Sequence, residues 1–288
     1  MKFSEAFSVY RELVLSSQTR REITSEMGRW ENHVSPALGE HGLEEIKNLQ
    51  ILQLKKTLEN KNLSPQTIYH CLSLVRRVLR RAKEWELYPG PVPHFRMPKF
   101  DNRRLRFLTP SEVGLLLKKL EERSCLWRDV AAFALYTGLR AGEIYSLRPF
   151  AVDSENAQVK IYDAKNSLSR VVPINPHALA IVLKYKRTSR PELPLFQDHG
   201  RLPEQSYRVF RKAVHACGFN TGVTDRRERV CFHSLRHTFA SWLVQSGTPL
   251  ALVSRLLGHK DIKMTMRYAH LAPDQGKAAV AMLAKVRL

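Results

Sequence analysis

The chain has 288 residues, of which 43% are hydrophobic, and it carries 47 lysines and arginines against 27 acidic residues. This length favours two domains, and the apolar content is ample for a globular core. No stretch approaches the roughly 20 apolar residues of a membrane span, and residues 1–5 lack the apolar core of a signal peptide. Four widely spaced cysteines without a C-x-x-C pair argue against a disulfide framework and favour a reducing compartment, the cytoplasm.

The net charge of +20 is larger than solubility requires and favours a polyanionic partner, nucleic acid before a membrane surface. The charge is unevenly distributed: residues 1–50 carry 6 basic and 8 acidic groups, whereas residues 51–100 carry 10 and 3. A basic protein with a solvated cationic face is the plainer alternative.

The clearest boundary lies near residues 89–107, where four prolines and a glycine rule out a continuous helix. We therefore expect a helical N-terminal domain over residues 1–98, a basic linker over 99–107 and a larger domain over 108–288. The linker carries three arginines that we expect to contact DNA, namely Arg103, Arg104 and Arg106.

In the N-terminal domain, helices are expected over 4–15, 18–36 and 44–60, and a further one begins at Ser64 and Pro65, a capping hydroxyl followed by proline. Apolar residues recur at helical spacing along this last helix. Its remaining surface carries two rows of arginine, Arg76 with Arg80 and Arg77 with Arg81. Such rows repel each other without an anion, so we expect them to face phosphates. Solubility is the alternative reason for these arginines.

The C-terminal domain is predicted to be mainly helical with one small antiparallel β-sheet. Strands are expected at 158–162 and 170–174, around a polar turn. Helices are expected at 110–120, 127–136, 177–187, 204–217, 234–246, 249–257, 261–267 and 274–286.

Common phosphate-loop, dinucleotide, zinc-protease and serine-hydrolase motifs do not occur. Cationic and imidazole side chains instead stand near predicted helix ends, in T-G-L-R-A-G-E with Arg140, H-S-L-R-H-T with His233 and Arg236, L-L-G-H with His259, and R-Y-A-H with Tyr268. A guanidinium between glycines can grip a phosphate through two oxygens. A simple ion pair between Arg140 and Glu143 is the alternative.

These four motifs, in this order and spacing, resemble those of the tyrosine recombinases, or phage integrases. The resemblance covers residues 108–272 by motif and the N-terminal region more loosely, as a helical core-binding domain. It implies a mainly α fold with two domains and a small antiparallel β-sheet in the catalytic one. It also implies site-specific breakage and rejoining of duplex DNA through a 3′-phosphotyrosine, without metal, ATP or another cofactor.

The resemblance implies a role for each motif residue. The two phosphate-clamping arginines, the proton-transfer histidine, the phosphate-binding imidazole and the nucleophile correspond to Arg140 and Arg236, His233, His259, and Tyr268. Glu143 corresponds to a supporting carboxylate. The family's hairpin lysine corresponds to Lys165, near the predicted turn, and Lys160 within the strand is the rival.

Phosphodiester attack needs groups of these kinds. Two arginines and an imidazole can stabilise the charge that builds on the non-bridging oxygens. A tyrosine with a pKa of about 10 needs a neighbour such as His233 to accept its proton. A lysine can protonate the departing 5′ oxygen.

Three alternatives stay open. A type IB topoisomerase uses a similar constellation on one duplex, and a catalytically inactive DNA-binding or transposon-accessory protein is the alternative from another class. Zinc ligation by His233 and His237, with His259 or Cys231, is disfavoured because Arg236 would repel a cation. Otherwise His237 and His270 are expected to be structural, packing or forming hydrogen bonds near the site.

The resemblance implies double-stranded DNA and further copies of the chain as partners, with a tetramer on two sites, and it allows a DNA-bending accessory protein. It places the protein at the nucleoid in the cytoplasm. The predicted helix at 274–286 is expected to dock on a neighbouring protomer, and packing on its own domain is the alternative. Many family members carry a further arm-binding domain; none is evident before residue 1, so we expect either a naturally short form or a truncated one.

Overall fold

The computed structural model describes residues 1–101, 106–162, 169–197 and 207–274, apart from the side chain of Arg21. Within it the chain forms two units, residues 1–102 and residues 103–288. The fold is mainly helical with a three-stranded antiparallel sheet, so the predicted fold class is confirmed. In the described part of the chain, no helix is both long enough and apolar enough to cross a membrane.

The first unit is built from helices around one apolar core. They are α1 (Phe3–Leu13), α2 (Arg20–Arg29), α3 (Ser35–Leu38), α4 (Asn48–Asn60) and α5 (Pro65–Glu84). Helix α5 begins as its sequence predicts, because the Ser64 hydroxyl accepts a hydrogen bond from the Thr67 main-chain nitrogen at 3.2 Å. Its apolar stripe from Ile68 to Ala82 is buried in that core.

Two predicted helices of this unit are interrupted. The helix expected over 18–36 widens into a π turn at Trp30–Val34, where the Trp30 ring stacks on Phe7 with their centroids 3.8 Å apart. The helix expected over 44–60 begins only at Asn48, after a short 3-10 turn at Leu43–Glu45. Helical spacing continues through both breaks, so periodicity alone did not reveal them.

The second unit packs helices around α7, most of whose side chains are buried. These helices are α6 (Pro110–Glu121), α7 (Cys125–Thr137), α8 (Ala141–Tyr145), α9 (Pro176–Lys186), α10 (Arg208–Ala216), α11 (Phe232–Gln245) and α12 (Leu250–Leu257). Helix α11 is tied to the start of the unit. The Thr238 hydroxyl accepts from the Leu108 nitrogen at 2.9 Å, and the Trp242 indole donates to the Leu108 carbonyl at 3.1 Å.

The sheet comprises β1 (Val152–Asp153), β2 (Gln158–Tyr162) and β3 (Ser169–Pro173), in that order and antiparallel. Strands β2 and β3 are those expected from the sequence, with β3 one residue earlier, whereas the short β1 was not predicted. Ile161 pairs with Arg170 across the two long strands. Burial alternates along β2, so Val159 and Ile161 face the core and Lys160 is exposed.

The segment after α12 differs from its prediction. Instead of an α-helix over 261–267, it forms two 3-10 turns, Ile262–Met264 and Met266–Leu271. The Asp261 carboxylate accepts from the Lys263 nitrogen at 2.9 Å, which favours a tight local turn over a helix. The predicted helix at 274–286 lies outside the described residues, except for Asp274.

Candidate active site

The C-terminal end of helix α12 is where the predicted motifs meet. Its last carbonyls have no partner within the helix, and cations are favoured at such an end. The Leu257 carbonyl accepts from the Arg236 guanidinium at 2.7 Å, and the Gly258 carbonyl accepts from the Arg140 guanidinium at 3.4 Å. Two motif arginines are therefore gathered around the main chain that leads directly to His259.

Arg236 is the more deeply held of the two arginines. It is 4% exposed, and its second hydrogen bond goes to the Gly138 carbonyl at 2.7 Å. Burial, followed by the charge of Arg140, lowers the pKa of Arg236 to about 9. Because neutral carbonyls hold the guanidinium in place, its charge remains available to an anionic ligand.

Arg140 shares a carboxylate with an arginine that the sequence did not single out. The Glu143 carboxylate accepts from the Arg140 side chain at 3.0 Å and main chain at 2.8 Å, and binds the Arg170 guanidinium through two hydrogen bonds of 2.9 and 2.8 Å. Burial alone would raise the pKa of Glu143, but the bonds from Arg170 and Arg140 outweigh it and hold that pKa below its usual value. Two guanidinium groups on one carboxylate leave a net positive charge.

Gly258 is required by this arrangement. It ends α12 in the left-handed region, with φ of +65°. A Cβ atom at this position would lie 2.7 Å from the guanidinium carbon of Arg170. The glycine of L-L-G-H therefore both turns the chain and makes room for Arg170.

His259 follows this turn as a neutral imidazole. Burial, followed by the charges of Arg236 and Arg140, lowers the pKa of His259 to about 4. Its Nδ1 lies 2.7 Å from the hydroxyl of Thr265, which is fully buried. A Thr265 hydroxyl that donates to Nδ1 leaves the ring proton on Nε2, from which it can be donated to an anionic oxygen. Thr265 thus acts as a partner of His259 that spacing alone did not identify.

Tyr268 is 6% exposed and packs in a small apolar cluster with Ala240, Val244, Val253 and Leu257. Burial raises the pKa of Tyr268 to about 12, while Arg267 and Arg236 act in the opposite direction. Its hydroxyl lies 2.5 Å from Nδ1 of His237.

This contact agrees with the expectation that His237 packs or forms a hydrogen bond near the site. Tyr268 packs over the later turns of α11. It therefore meets His237, which lies one turn beyond His233 on that helix. The His233 and His237 rings lie edge to face, with their centroids 4.8 Å apart. The predicted role of His233 in proton transfer stays a prediction.

The two candidate lysines are placed differently by the structure. Lys165 lies outside the described residues, in the connection between Tyr162, which ends β2, and Ser169, which begins β3. Lys160 is on the exposed side of β2, with its Nζ 5.4 Å from the centroid of the Tyr162 ring.

The predicted DNA-contacting arginines of α5 mostly have protein partners. Arg76 donates to the Phe95 carbonyl at 2.9 Å and lies over its ring, Arg77 binds the buried Glu26 at 2.6 Å, and Arg81 binds Glu84 at 2.7 Å. Arg80 is exposed. Carboxylates of the protein therefore balance the charge of two of the four arginines, Arg77 and Arg81, so repulsion between the rows does not by itself require an external anion.

Of the predicted linker arginines, the structure describes one. Arg106 bonds the Glu112 carboxylate and the Phe107 carbonyl, so its side chain supports the start of α6. Arg103 and Arg104 lie outside the described residues. DNA contact by the arginines of the linker and of α5 stays a prediction.

The zinc alternative lacks a ligand cluster in the part of the chain that the structure describes. There, no group of three His, Cys, Asp or Glu side chains is arranged to hold a metal ion.

Comparison with known proteins shows which family the sequence resembles. The model of the Phage integrase family matches residues 106–275. The integrase of Salmonella phage P22 is 31% identical over 214 residues, which are 70% of this chain and 53% of that protein. This chain spans 53 to 61% of the length of the first three curated relatives that it matches, all of them from phages.

Two solved structures are similar in fold. A lambda integrase tetramer bound to a Holliday junction has a TM-score of 0.76 and 19% identity, over 96% of this chain and 78% of that one. The catalytic domain of bacteriophage HP1 integrase has a TM-score of 0.50 and 28% identity, over 62% of this chain and 94% of that one. At its identity, the first similarity concerns the fold alone.

Proposed function

Because this chain belongs to the phage integrase family, we propose that it is a site-specific recombinase that breaks and rejoins duplex DNA through a covalent 3′-phosphate link to Tyr268. The observation that carries the proposal is the convergence at the end of α12. Arg140 and Arg236 bind its last carbonyls, His259 follows them directly, and the Tyr268 ring packs against Leu257.

The charges of this site suit a phosphodiester. Arg236 is held by neutral carbonyls. Arg140 and Arg170 carry two positive charges, and the one carboxylate they share carries a single negative charge. As an oxygen attacks phosphorus, negative charge builds on the non-bridging oxygens, and fixed guanidinium groups stabilise it without rearrangement. A neutral His259 with its proton on Nε2 adds a hydrogen-bond donor to the same oxygens.

In this reaction the Tyr268 oxygen bonds to phosphorus and the 5′ oxygen leaves. The leaving oxygen needs a proton, for which we propose Lys165. The phosphotyrosine conserves the energy of the broken bond, so a 5′ hydroxyl can attack it and rejoin the strand without ATP.

We assign residues 1–98 to a core-binding domain and residues 108–288 to the catalytic domain, both acting on double-stranded DNA. We further propose that four protomers act on two DNA sites, as the lambda integrase tetramer on a Holliday junction suggests by similarity. A DNA-bending accessory protein is a further proposed partner. Action on chromosomal DNA would place the protein at the nucleoid.

A nicked suicide substrate tests the proposal, since cleavage near the nick releases a short fragment and traps the covalent adduct. Wild-type protein should form the adduct, and Tyr268→Phe should form none while keeping its DNA affinity, because only the hydroxyl attacks phosphorus. Tyr162→Phe, at a tyrosine that is 55% exposed on β2, is the matched control and should react like wild type. An adduct that persists in Tyr268→Phe would overturn the assignment.

A further inference from the structure

Helix α11 brings a second histidine to the hydroxyl of Tyr268. Nδ1 of His237 lies 2.5 Å from that oxygen, and the two side chains are 5% and 6% exposed. We propose that His237, in place of His233, accepts the Tyr268 proton during attack and is therefore a catalytic residue of this site, an inference that rests on the proposed strand-cleavage function.

The surroundings of the pair suit proton transfer. The His237 imidazole is a base in hydrogen-bond contact with the hydroxyl, and because both side chains are almost fully buried, water has little access to compete for the proton. A neutral imidazole with its proton on Nε2 presents a lone pair at Nδ1, which is the atom that faces the hydroxyl. A phenol attacks phosphorus effectively only when a neighbour takes its proton.

Strand cleavage moves one proton away from the nucleophile and one proton to the leaving group. The Tyr268 proton moves to Nδ1 of His237, the phenolic oxygen bonds to phosphorus, and the bond from phosphorus to the 5′ oxygen breaks. The 5′ oxygen receives its proton from a separate acid, for which Lys165 is proposed above. On rejoining, the imidazolium of His237 returns its proton to the tyrosine as the phosphotyrosine bond breaks.

Three roles for this contact must be separated: proton acceptance, positioning of the ring, and restraint of the nucleophile. His237→Asn separates the first two, because an asparagine oxygen near the position of Nδ1 accepts a hydrogen bond without taking the proton. His237→Ala removes both functions, and added imidazole can enter the space it leaves. His177→Asn is the matched control, since His177 is an exposed histidine of the same unit that stacks on Tyr136.

The experiment measures the single-turnover rate of adduct formation on ordinary DNA and on DNA with a 5′-bridging phosphorothiolate. In both His237 variants the rate of adduct formation should fall by about 100-fold or more, as it does when a general base is removed. The loss should be equal on both substrates because the base acts on the nucleophile and not on the leaving group. Imidazole should partly restore His237→Ala, DNA affinity should be nearly unchanged, and His177→Asn should react like wild type.

Several results would overturn the proposal. A wild-type rate in His237→Asn would mean that His237 only positions the Tyr268 ring. A rate above wild type in His237→Ala would mean that His237 restrains the nucleophile. A loss that vanishes on the phosphorothiolate would mean that His237 protonates the leaving group. If His237→Ala loses DNA affinity through misfolding, His237→Asn decides alone. A wild-type protein that forms no adduct would refute the proposed function itself, whereas cleavage by wild type and His237→Asn alike would refute only this inference.

Discussion

Arg236 and Arg140 are held in different ways, which bears on the phosphate contact proposed for each. Arg236 is buried and fixed by the carbonyls of Gly138 and Leu257. The Arg140 side chain is 42% exposed and shares Glu143 with Arg170. Arg170 can keep the carboxylate paired while Arg140 turns toward a ligand. The first arginine is thus preorganised and the second is adaptable.

The lysine assignment is testable by the leaving group. Lys165→Ala should slow cleavage of ordinary DNA far more than cleavage of a 5′-bridging phosphorothiolate, because sulfur leaves without needing a proton. Lys160→Ala is the matched variant and should slow neither. Equal slowing of both substrates by Lys165→Ala would remove it as the acid and return Lys160 to contention.

His259 should make the free protein sensitive to mild acid. Its pKa is about 4 in the folded protein, below the 6.5 that is usual for histidine, so between these values the unfolded chain binds more protons and stability falls as pH falls. Glu143, whose pKa lies below the usual 4.5, adds to this loss of stability only below that pH. His259→Asn should therefore show a smaller drop in Tm than wild type between pH 7 and pH 5. The control His177→Asn should keep the wild-type drop, and equal drops in all three proteins would contradict the assignment.

Sequence motifs identified the residues that gather at the end of α12, but two contacts within the site lay beyond them. Arg170 reaches Glu143 only because the sheet directs a strand residue toward α8, and no local spacing encodes that approach. His233 and His237 share one helix face, so spacing could not decide which of them meets Tyr268. Only the packing of Tyr268 over the later turns of α11 decides it.

At the scale of elements, local signals predicted helix starts better than helix continuity. The hydroxyls of Ser64 and Thr109 accept hydrogen bonds at the starts of α5 and α6, where the sequence places them. Breaks within a continuous apolar pattern, such as the π turn at Trp30, depend on tertiary packing. The 3-10 turns after α12 likewise follow from local side-chain bonds that compete with a helix.

The end of α12 should tolerate substitution poorly. Gly258→Ala forces a non-glycine residue to φ of +65° and brings its Cβ to 2.7 Å from Arg170. We expect a loss of about 1–3 kcal/mol in the free energy of unfolding, with a larger loss in cleavage because the Gly258 carbonyl and His259 both shift. Gly114→Ala is the control, since Gly114 is exposed within α6 with nothing within 4 Å of an added Cβ. It should stabilise slightly, and equal effects of the two variants would contradict this account.

At the scale of the whole molecule, the net charge of +20 should appear in the salt dependence of DNA binding. If about ten phosphates are neutralised, the logarithm of the binding constant should fall with a slope of roughly −9 against the logarithm of salt concentration. Titrations at several salt concentrations measure this slope, and a nearly flat dependence would mean that the charge is not a DNA footprint.

Adduct formation should also survive EDTA, and a strict metal requirement would revive the zinc alternative.

The residue that carries the trapped DNA identifies the nucleophile. Wild-type adduct formed in EDTA on a nicked substrate would be digested with trypsin and analysed by mass spectrometry. We predict the nucleotide remnant on the peptide of residues 268–277, attached to Tyr268 through a 3′ phosphate. A remnant on any other residue, or a link through a 5′ phosphate, would contradict the account.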